Sequence, residues 1–495
     1  MKFLQISPLK QLLTHSRFLL TLRSDQGKYH SLILFRLSPA SDSIWDNAET
    51  SSKPMGMLEK AANRQIYVME STCPHLGADM SHAEIEEYED TTVAVCPWHS
   101  ETGLRSVHLI LVKSGSDVLA RACTYSVEVK SEDNVENVYI ETPPGGNNWR
   151  LIELRPVSEE FVDPPPPPSQ PTTQVNPVLL NSEVTEPVVP TTDPPKTLMQ
   201  WAVLILNTAH PTLKVMRTRH AVQLFRTGKL DSIGHKSPNA PCPPDVPPRE
   251  ENFLKNTVNP GKVKGRKNLA VMLHALANVE QWAWDIMARF GPSHPDLPPA
   301  FFSDFTKMAL DESKHFSLLT SRLSATSPTT PYGTMPVHAS LWESATITAH
   351  SLRSRLAIIH LVHEARGLDV NPGTIARFRR AGDATSVAAM EVIHADEVTH
   401  VTSGHRWFTW LCEREGGLDP VETFREEVRR GWRGNVKGPF NIDDREKAGL
   451  TPEFYEHLTG EMAEEEMTER KGALAGFKDL SLTDPVAQVT VEYEK

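Results

Sequence analysis

The chain has 495 residues, 39 of them Pro and five Cys, with 51 basic against 63 acidic side chains. A net charge of −12 speaks against a general nucleic-acid or anionic-membrane binder, and five cysteines at this length exclude a disulfide framework. No apolar run approaches the ~18 residues of a membrane span, so a soluble chain of about three domains is expected at roughly 150 residues each.

The first 24 residues hold Lys2, Lys10, Arg17 and Arg23 and no acid. That pattern keeps a mitochondrial address as an alternative to the cytoplasm. Arg17–Leu22 and Ser31–Leu37 read as strands around the polar turn Ser24–His30. Further strand-like runs are Gln65–Glu70, Thr92–Val95, Tyr125–Val129 and Val138–Glu141. Residues 1–155 are therefore expected to form an all-β domain. From Pro143 to Pro195 fourteen prolines fall in 53 positions. Proline fixes φ and removes a donor, so 156–197 is expected to be a semi-extended linker. Apolar periodicity then predicts helices over Trp201–Asn207, Leu213–Leu230, Leu269–Phe290, Ala300–Leu323, Ser340–Gly367 and Ile375–Cys412. An all-α domain over 198–472 follows, with a loosely held tail over 473–495.

The β domain carries Cys73-Pro74-His75 and, after 20 intervening residues, Cys96-Pro97-Trp98-His99. Each pair follows a strand-like run. A structural Zn site and a [2Fe–2S] cluster with two Cys and two His both fit this donor set. Each loop supplies one Cys and one His, whereas a zinc finger puts both Cys in one knuckle. The order C-x-H…C-x-x-H, with Leu76-Gly77 after the first His, resembles the Rieske family over about Gln65–Val129. The resemblance implies that Cys73 and Cys96 hold the inner iron and His75 and His99 the solvent-facing one. Ala78 and Trp98 stand at the nearest positions to the loop-linking cysteines of respiratory-type domains, so no bridge forms, as in ferredoxin- and oxygenase-type centres. Ser100–Arg121 is longer than the family's usual strand pair, and Val107–Val112 reads as an insertion there.

The helical half contains a repeat. Asp311-Glu312-Ser-Lys-His315 and Asp396-Glu397-Val-Thr-His400 share Asp-Glu-x-x-His, each followed by an apolar residue. Glu280 lies 32 residues before Glu312, and Glu364 lies 33 before Glu397. Most of these residues fall within apolar helical stripes, so the carboxylates and imidazoles point towards the core. Buried carboxylates need partners, and four Glu with two His converging on one core call for multivalent cations. One Glu from each of two helices and Glu-x-x-His from each of two others is the ligand set of di-iron and di-manganese bundles. Glu391-x-x-His394 is a competing register, but its spacing of 27 from Glu364 breaks the repeat. Asp311 and Asp396 are expected either to orient ligand imidazoles or to face solvent.

This half also resembles a family of uncharacterised ferritin-like proteins over roughly Met199–Gly460. The residues that carry it include Leu273–Glu280, Asp311–Phe316, Glu364–Asp369, Asp396–Val401 and Pro439-Phe-Asn441. That family is distantly similar to the ferritin-like tRNA isopentenyladenosine hydroxylase. The resemblance implies a four-helix bundle holding a di-iron, or Fe/Mn, centre.

Lys262, Lys264, Arg266 and Lys267, with Arg217, Arg219 and Arg226, form a basic group that reads as a solvated helix entrance. Contact with RNA, tRNA included, is the minority reading. No Rossmann or P-loop fingerprint occurs, so a separate reductase or ferredoxin is the expected electron donor. The function that follows is an iron-dependent oxidoreductase. A Rieske cluster relays electrons to a carboxylate-bridged di-iron site that activates O₂, hydroxylase-like, on a small-molecule substrate, in a chain that forms no membrane contact and has scope to self-associate. The alternatives are ferritin-like iron or peroxide handling, and a non-enzymatic metal-binding module.

Overall fold

A computed structural model of the chain describes residues 2–13, 15–37, 66–74, 77–88, 91–100, 108–110, 124–132, 135–157, 184, 186–248, 266–279, 283–329, 332–335 and 340–463. It divides into two compact units. One comprises 1–162 with 223–229 and 298–300; the other comprises 163–222, 230–297 and 301–495.

The first unit is built from strands. In chain order the elements are β1 (Phe3–Pro8), α1 (Leu9–Leu12), β2 (Arg17–Arg23), β3 (Tyr29–Arg36), β4 (Ile66–Glu70), β5 (Glu84–Tyr88), β6 (Thr91–Val95), the turn α2 (Pro97–Ser100), β7 (His108–Ile110), β8 (Thr124–Tyr125), β9 (Val127–Glu132), β10 (Val135–Glu141) and β11 (Arg150–Pro156). All pairings are antiparallel. They give a five-stranded sheet β11-β2-β3-β4-β8 and two three-stranded sheets, β1-β10-β9 and β5-β6-β7. β3 shows why two cores form. Side chains alternate along a strand, so Leu32 and Leu34 enter one cluster with Phe18, Leu20 and Val68. Ile33 and Phe35 enter the other, which contains Cys73 and Cys96.

Strands β1, β5, β7 and β11 are absent from the sequence reading. β5 (Glu-Ile-Glu-Glu-Tyr) is too acidic to stand out, and β7 falls in the stretch read as an insertion. In the structure, His108–Ile110 pairs in register with Val93–Val95 as the sheet's third strand.

The second unit is helical, with residues 223–226 of α4 and 299–300 of α7 counted in the first: α3 (Leu198–Leu206), α4 (Pro211–Arg226), α5 (Arg266–Val279), α6 (Asp285–Phe290), α7 (Pro299–Thr326), α8 (Ser340–Ile347), α9 (Leu352–Arg355), α10 (Glu364–Arg380), α11 (Ala384–Arg414), α12 (Pro420–Gly431), α13 (Ile442–Ala448) and α14 (Pro452–Tyr455). A π-helical segment, Leu356–His363, joins α9 to α10. Arg433–Asn435 and Thr459–Glu461 pair as a short ribbon. Three expected helices are divided. Leu269–Phe290 forms two, one ending at Val279 and the next starting at Asp285. Ile375–Cys412 stops at Gly382, whose φ of 71° is a left-handed stop, and Asp383 caps α11 through Ser386 N–H. Ser340–Gly367 is interrupted before Ser351, which caps α9. One face of α5, α7, α10 and α11 meets in a core of Leu273, Ala277, Phe316, Leu319, Phe378, Met390 and Ile393. Among the described residues, no helix is long and apolar enough to cross a membrane.

Candidate metal centres

In the first unit, β4 runs into a tight loop. Cys73 N–H donates to the Ala78 carbonyl at 2.8 Å and Gly77 N–H to the Cys73 carbonyl at 2.7 Å. Gly77 sits at φ 70°, the region glycine adopts without cost. Cys96 follows β6 and opens α2. Both thiols are buried, 2% and 0% exposed, in one apolar cluster lined by Met69, Met80 and Ala94. A pair of buried sulfurs that form no disulfide suits soft-metal ligation. His75 lies outside the described residues, as does the side chain of His99.

The second centre lies on α7, α10 and α11. Ligand atoms of Glu312, Glu364, Glu397 and His400 fall within 4.8 Å of one another. Glu312 occupies the middle. Its Oε1 is 3.1 Å from His400 Nδ1, and its Oε2 is 3.8 Å from His315 Nδ1. The far nitrogens of both rings point at aspartates of the opposite motif. His315 Nε2–H donates to Asp396 Oδ2 at 3.0 Å, and His400 Nε2 is 3.5 Å from Asp311 Oδ2. Each motif therefore sets an aspartate beside the imidazole of the other, through a hydrogen bond at His315 and an ion-pair contact at His400, and both Nδ1 atoms face the glutamates. Glu280 lies outside the described residues. Glu391 and His394 are not part of this group: Glu391 accepts from Arg379, and His394 contacts Asp444 at 2.9 Å.

The electrostatics fit an ion-binding group. Burial, then repulsion from Glu397 and Glu312, hold the Glu364 carboxyl well above its usual range. Burial alone would lower His400, but contacts with Asp311, Glu312 and Glu397 outweigh it and raise it well above the usual value. Yet neither His400 nitrogen nor Glu397 Oε2 makes a hydrogen bond of good geometry, although all three atoms are buried. Oxygen and nitrogen lone pairs converge on one volume instead of on each other's protons. Buried groups of that kind need a cation, and the donor set is that of iron, manganese or zinc.

Two features beside the centre escape a reading of the sequence. The π-helical segment ends at the ligand: Glu364 N–H bonds Ile359 O, five residues back, so the extra residue per turn is absorbed just before Glu364. His360 is buried within that segment against the Phe305 ring, and burial pushes it down to about 3. Its sequence signal, a lone His in an apolar run four residues before Glu364, is also that of an ordinary core residue. Beyond the centre, Arg217 is buried and bonds Thr208, Glu186 and the Pro187 and Val188 carbonyls, and Arg226 is buried as well. Lys262 and Lys264 lie outside the described residues.

Residues 43–102 match the Rieske [2Fe-2S] domain, which implies a [2Fe–2S] cluster. Across 189 residues the chain is 35% identical to an uncharacterized protein of Haemophilus influenzae, a match that takes in 37% of this chain. The chain spans 65% of that relative's length. No solved structure matches. Residues 207–456 match the family described as "Protein of unknown function (DUF455)", and with half of its length inside that match the chain belongs to the DUF455 family, carrying a Rieske domain ahead of it.

Proposed function

We propose that this protein is an iron-dependent oxidoreductase in which the Rieske cluster passes single electrons to a metal pair on the helical unit, and that the pair activates O₂ for oxidation of an organic substrate. We further read the helical unit as a ferritin-like four-helix bundle. The observation that carries the proposal is Glu312, whose two oxygens each face a different imidazole while crossed aspartates hold the far side of both rings. A carboxylate spanning two imidazoles suits a bridge between two metal ions. Glu312, Glu364, Glu397 and His400 would hold one position; Glu312 and His315, with Glu280, would hold the other.

When bound, the two metals supply reductive activation of O₂. Oxidation of a C–H substrate by O₂ to alcohol and water would consume two electrons and two protons, and a cluster held by Cys73, His75, Cys96 and His99 would supply those electrons one at a time from an external reductase or ferredoxin. The chain's own residues do the rest. Asp311 and Asp396 orient His400 and His315 with Nδ1 inward. Phe305, Met308 and Leu361 are apolar neighbours of the site along its helices and keep bulk water out.

Metal and EPR analysis of anaerobically purified protein tests this. The expected result is a rhombic [2Fe–2S] signal plus two further irons per chain. In stopped flow, dithionite-reduced cluster should be reoxidised by O₂ faster in wild type than in Glu312→Ala. Equal rates would end the relay; absence of the further irons would end the metal-pair reading.

A further inference from the structure

The aspartates that hold the imidazoles raise a question of charge. Asp311 is 1% exposed and Asp396 7%, beside three glutamates. Buried carboxylates in such company need a cation of their own. Lys314 supplies it. Its Nζ lies 3.3 Å from Asp396 Oδ2 and 4.0 Å from Asp311 Oδ1, and its side chain is 15% exposed.

Lys314 fills the position between Glu and His in the first Asp-Glu-x-x-His. The matching residue of the second is Thr399, whose hydroxyl donates to the Asp396 backbone carbonyl at 2.8 Å. One lysine thus serves both halves of an otherwise repeated motif. The sharing is unequal. At Asp396 the ammonium and His315 Nε2–H meet the same oxygen, Oδ2; at Asp311 the lysine faces Oδ1 and the imidazole Oδ2.

We propose that Lys314 is a positioning residue: it ties the two Asp–His pairs into one unit from behind, and so sets the affinity and ligand field of the metal pair. This rests on the metal-pair reading above. Its physical basis is that a carboxylate held by a fixed cation keeps its oxygens where the imidazole N–H meets them, and an imidazole so held keeps its other nitrogen aimed at the metal. The sign of the effect separates this role from simple charge. A lysine acting only by Coulomb repulsion would weaken cation binding, so its loss would tighten it. A positioning lysine strengthens binding, so its loss weakens it.

The experiment is Mn(II) titration of the chelator-washed full chain, with free Mn(II) and the exchange-coupled signal of the bound pair both read by EPR. Lys314→Met and Lys314→Gln should each bind at least about tenfold more weakly, in line with other residues that hold metal ligands in place, and should lose or alter the coupled signal. Lys314→Arg should restore both. Thr399→Val, at the matching position, should leave both unchanged. Two neutral variants keep the test decisive if one fails to fold, as judged by circular dichroism. Unchanged or tighter binding in the folded neutral variants, or equal weakening in Thr399→Val, would overturn the role of Lys314 alone. Wild-type protein that binds no metal pair would overturn the metal-pair reading and this inference with it.

Discussion

Acid should loosen the helical unit through His274. This residue is 1% exposed on α5, and its Nε2 accepts from Gly333 N–H at 2.9 Å and Met335 N–H at 3.4 Å, with its ring against Tyr332. A nitrogen that accepts two N–H groups carries no proton, so the folded imidazole is neutral. Burial pushes it down from 6.5 to about 4. The folded ring therefore titrates below the unfolded one. Its contribution is complete above about pH 6.5 and is lost as pH falls towards 4. At pH 5 nearly all unfolded chains and only about a tenth of folded ones carry the proton, which removes about 2 kcal/mol. Urea unfolding followed by far-ultraviolet circular dichroism, on wild type and His274→Gln at about pH 7.5 and 5, isolates the residue, because every other titration cancels between the proteins. Wild type should lose about 2 kcal/mol more than the variant over that interval. Equal losses would refute the reasoning, since they would mean that His274 is not held neutral by its two donors.

Four further outcomes follow from the structure. A Cβ at Gly404 would lie 2.5 Å from His360 Cβ, a contact between backbone-anchored atoms, so Gly404→Ala should destabilise by about 1–2 kcal/mol even after the helix-propensity gain. At Gly367 the nearest atom to the added Cβ, on Glu397, is at 3.6 Å, an ordinary van der Waals contact, so Gly367→Ala should be neutral or slightly stabilising in the same unfolding assay. Glu364→Gln should stabilise metal-free protein more at about pH 8 than at pH 5, because a carboxyl raised well above 4.5 costs stability once pH passes the unfolded value; thermal melts across pH check this, and an identical pH slope in both proteins would contradict it. Arg445→Met should cost about 3–5 kcal/mol by urea unfolding, since it removes the cation that buried Asp369 meets at 2.7 and 2.8 Å and leaves that carboxylate to Asn441 N–H at 3.0 Å and Arg366 at 3.7 Å; a loss under about 1 kcal/mol would mean the pair is not structural.

Much of this site was legible in one dimension. Alternating residues announced the β2–β3 hairpin, and the repeated Asp-Glu-x-x-His singled out Glu312, Glu397 and His400, which the fold brings together with Glu364. The partners of the aspartates were not legible. Asp311 and His315 stand four apart, the spacing of same-face neighbours within a helix, so the sequence alone favours pairing inside each motif. The observed pairing runs between α7 and α11, which depends on how two helices face each other and leaves no local signal. The breaks before Ser351 and at Gly382 were hidden for a different reason. Each is marked only by a short local signal inside a long stretch of helix-forming residues, the cap Ser351 at one and Gly382 with the cap Asp383 at the other. The π segment has no signature either, because one residue inserted into a turn looks like any other apolar run.

The exchange of aspartates between the two motifs bears on the history and the divisibility of the helical unit. Because each motif lends its Asp to the other's imidazole, neither can complete an oriented histidine by itself. Cutting the chain between the copies would leave two fragments that each lack the acceptor for their own His. The arrangement is reciprocal, however, so two identical half-length chains, each bearing one Asp-Glu-x-x-His, would regenerate both Asp–His pairs across a twofold axis. An internal repeat of this kind is therefore equivalent to a symmetric dimer joined into one chain. The copies are not identical, with Lys314 opposite Thr399 and Ser313 opposite Val398, differences that two identical subunits could not carry.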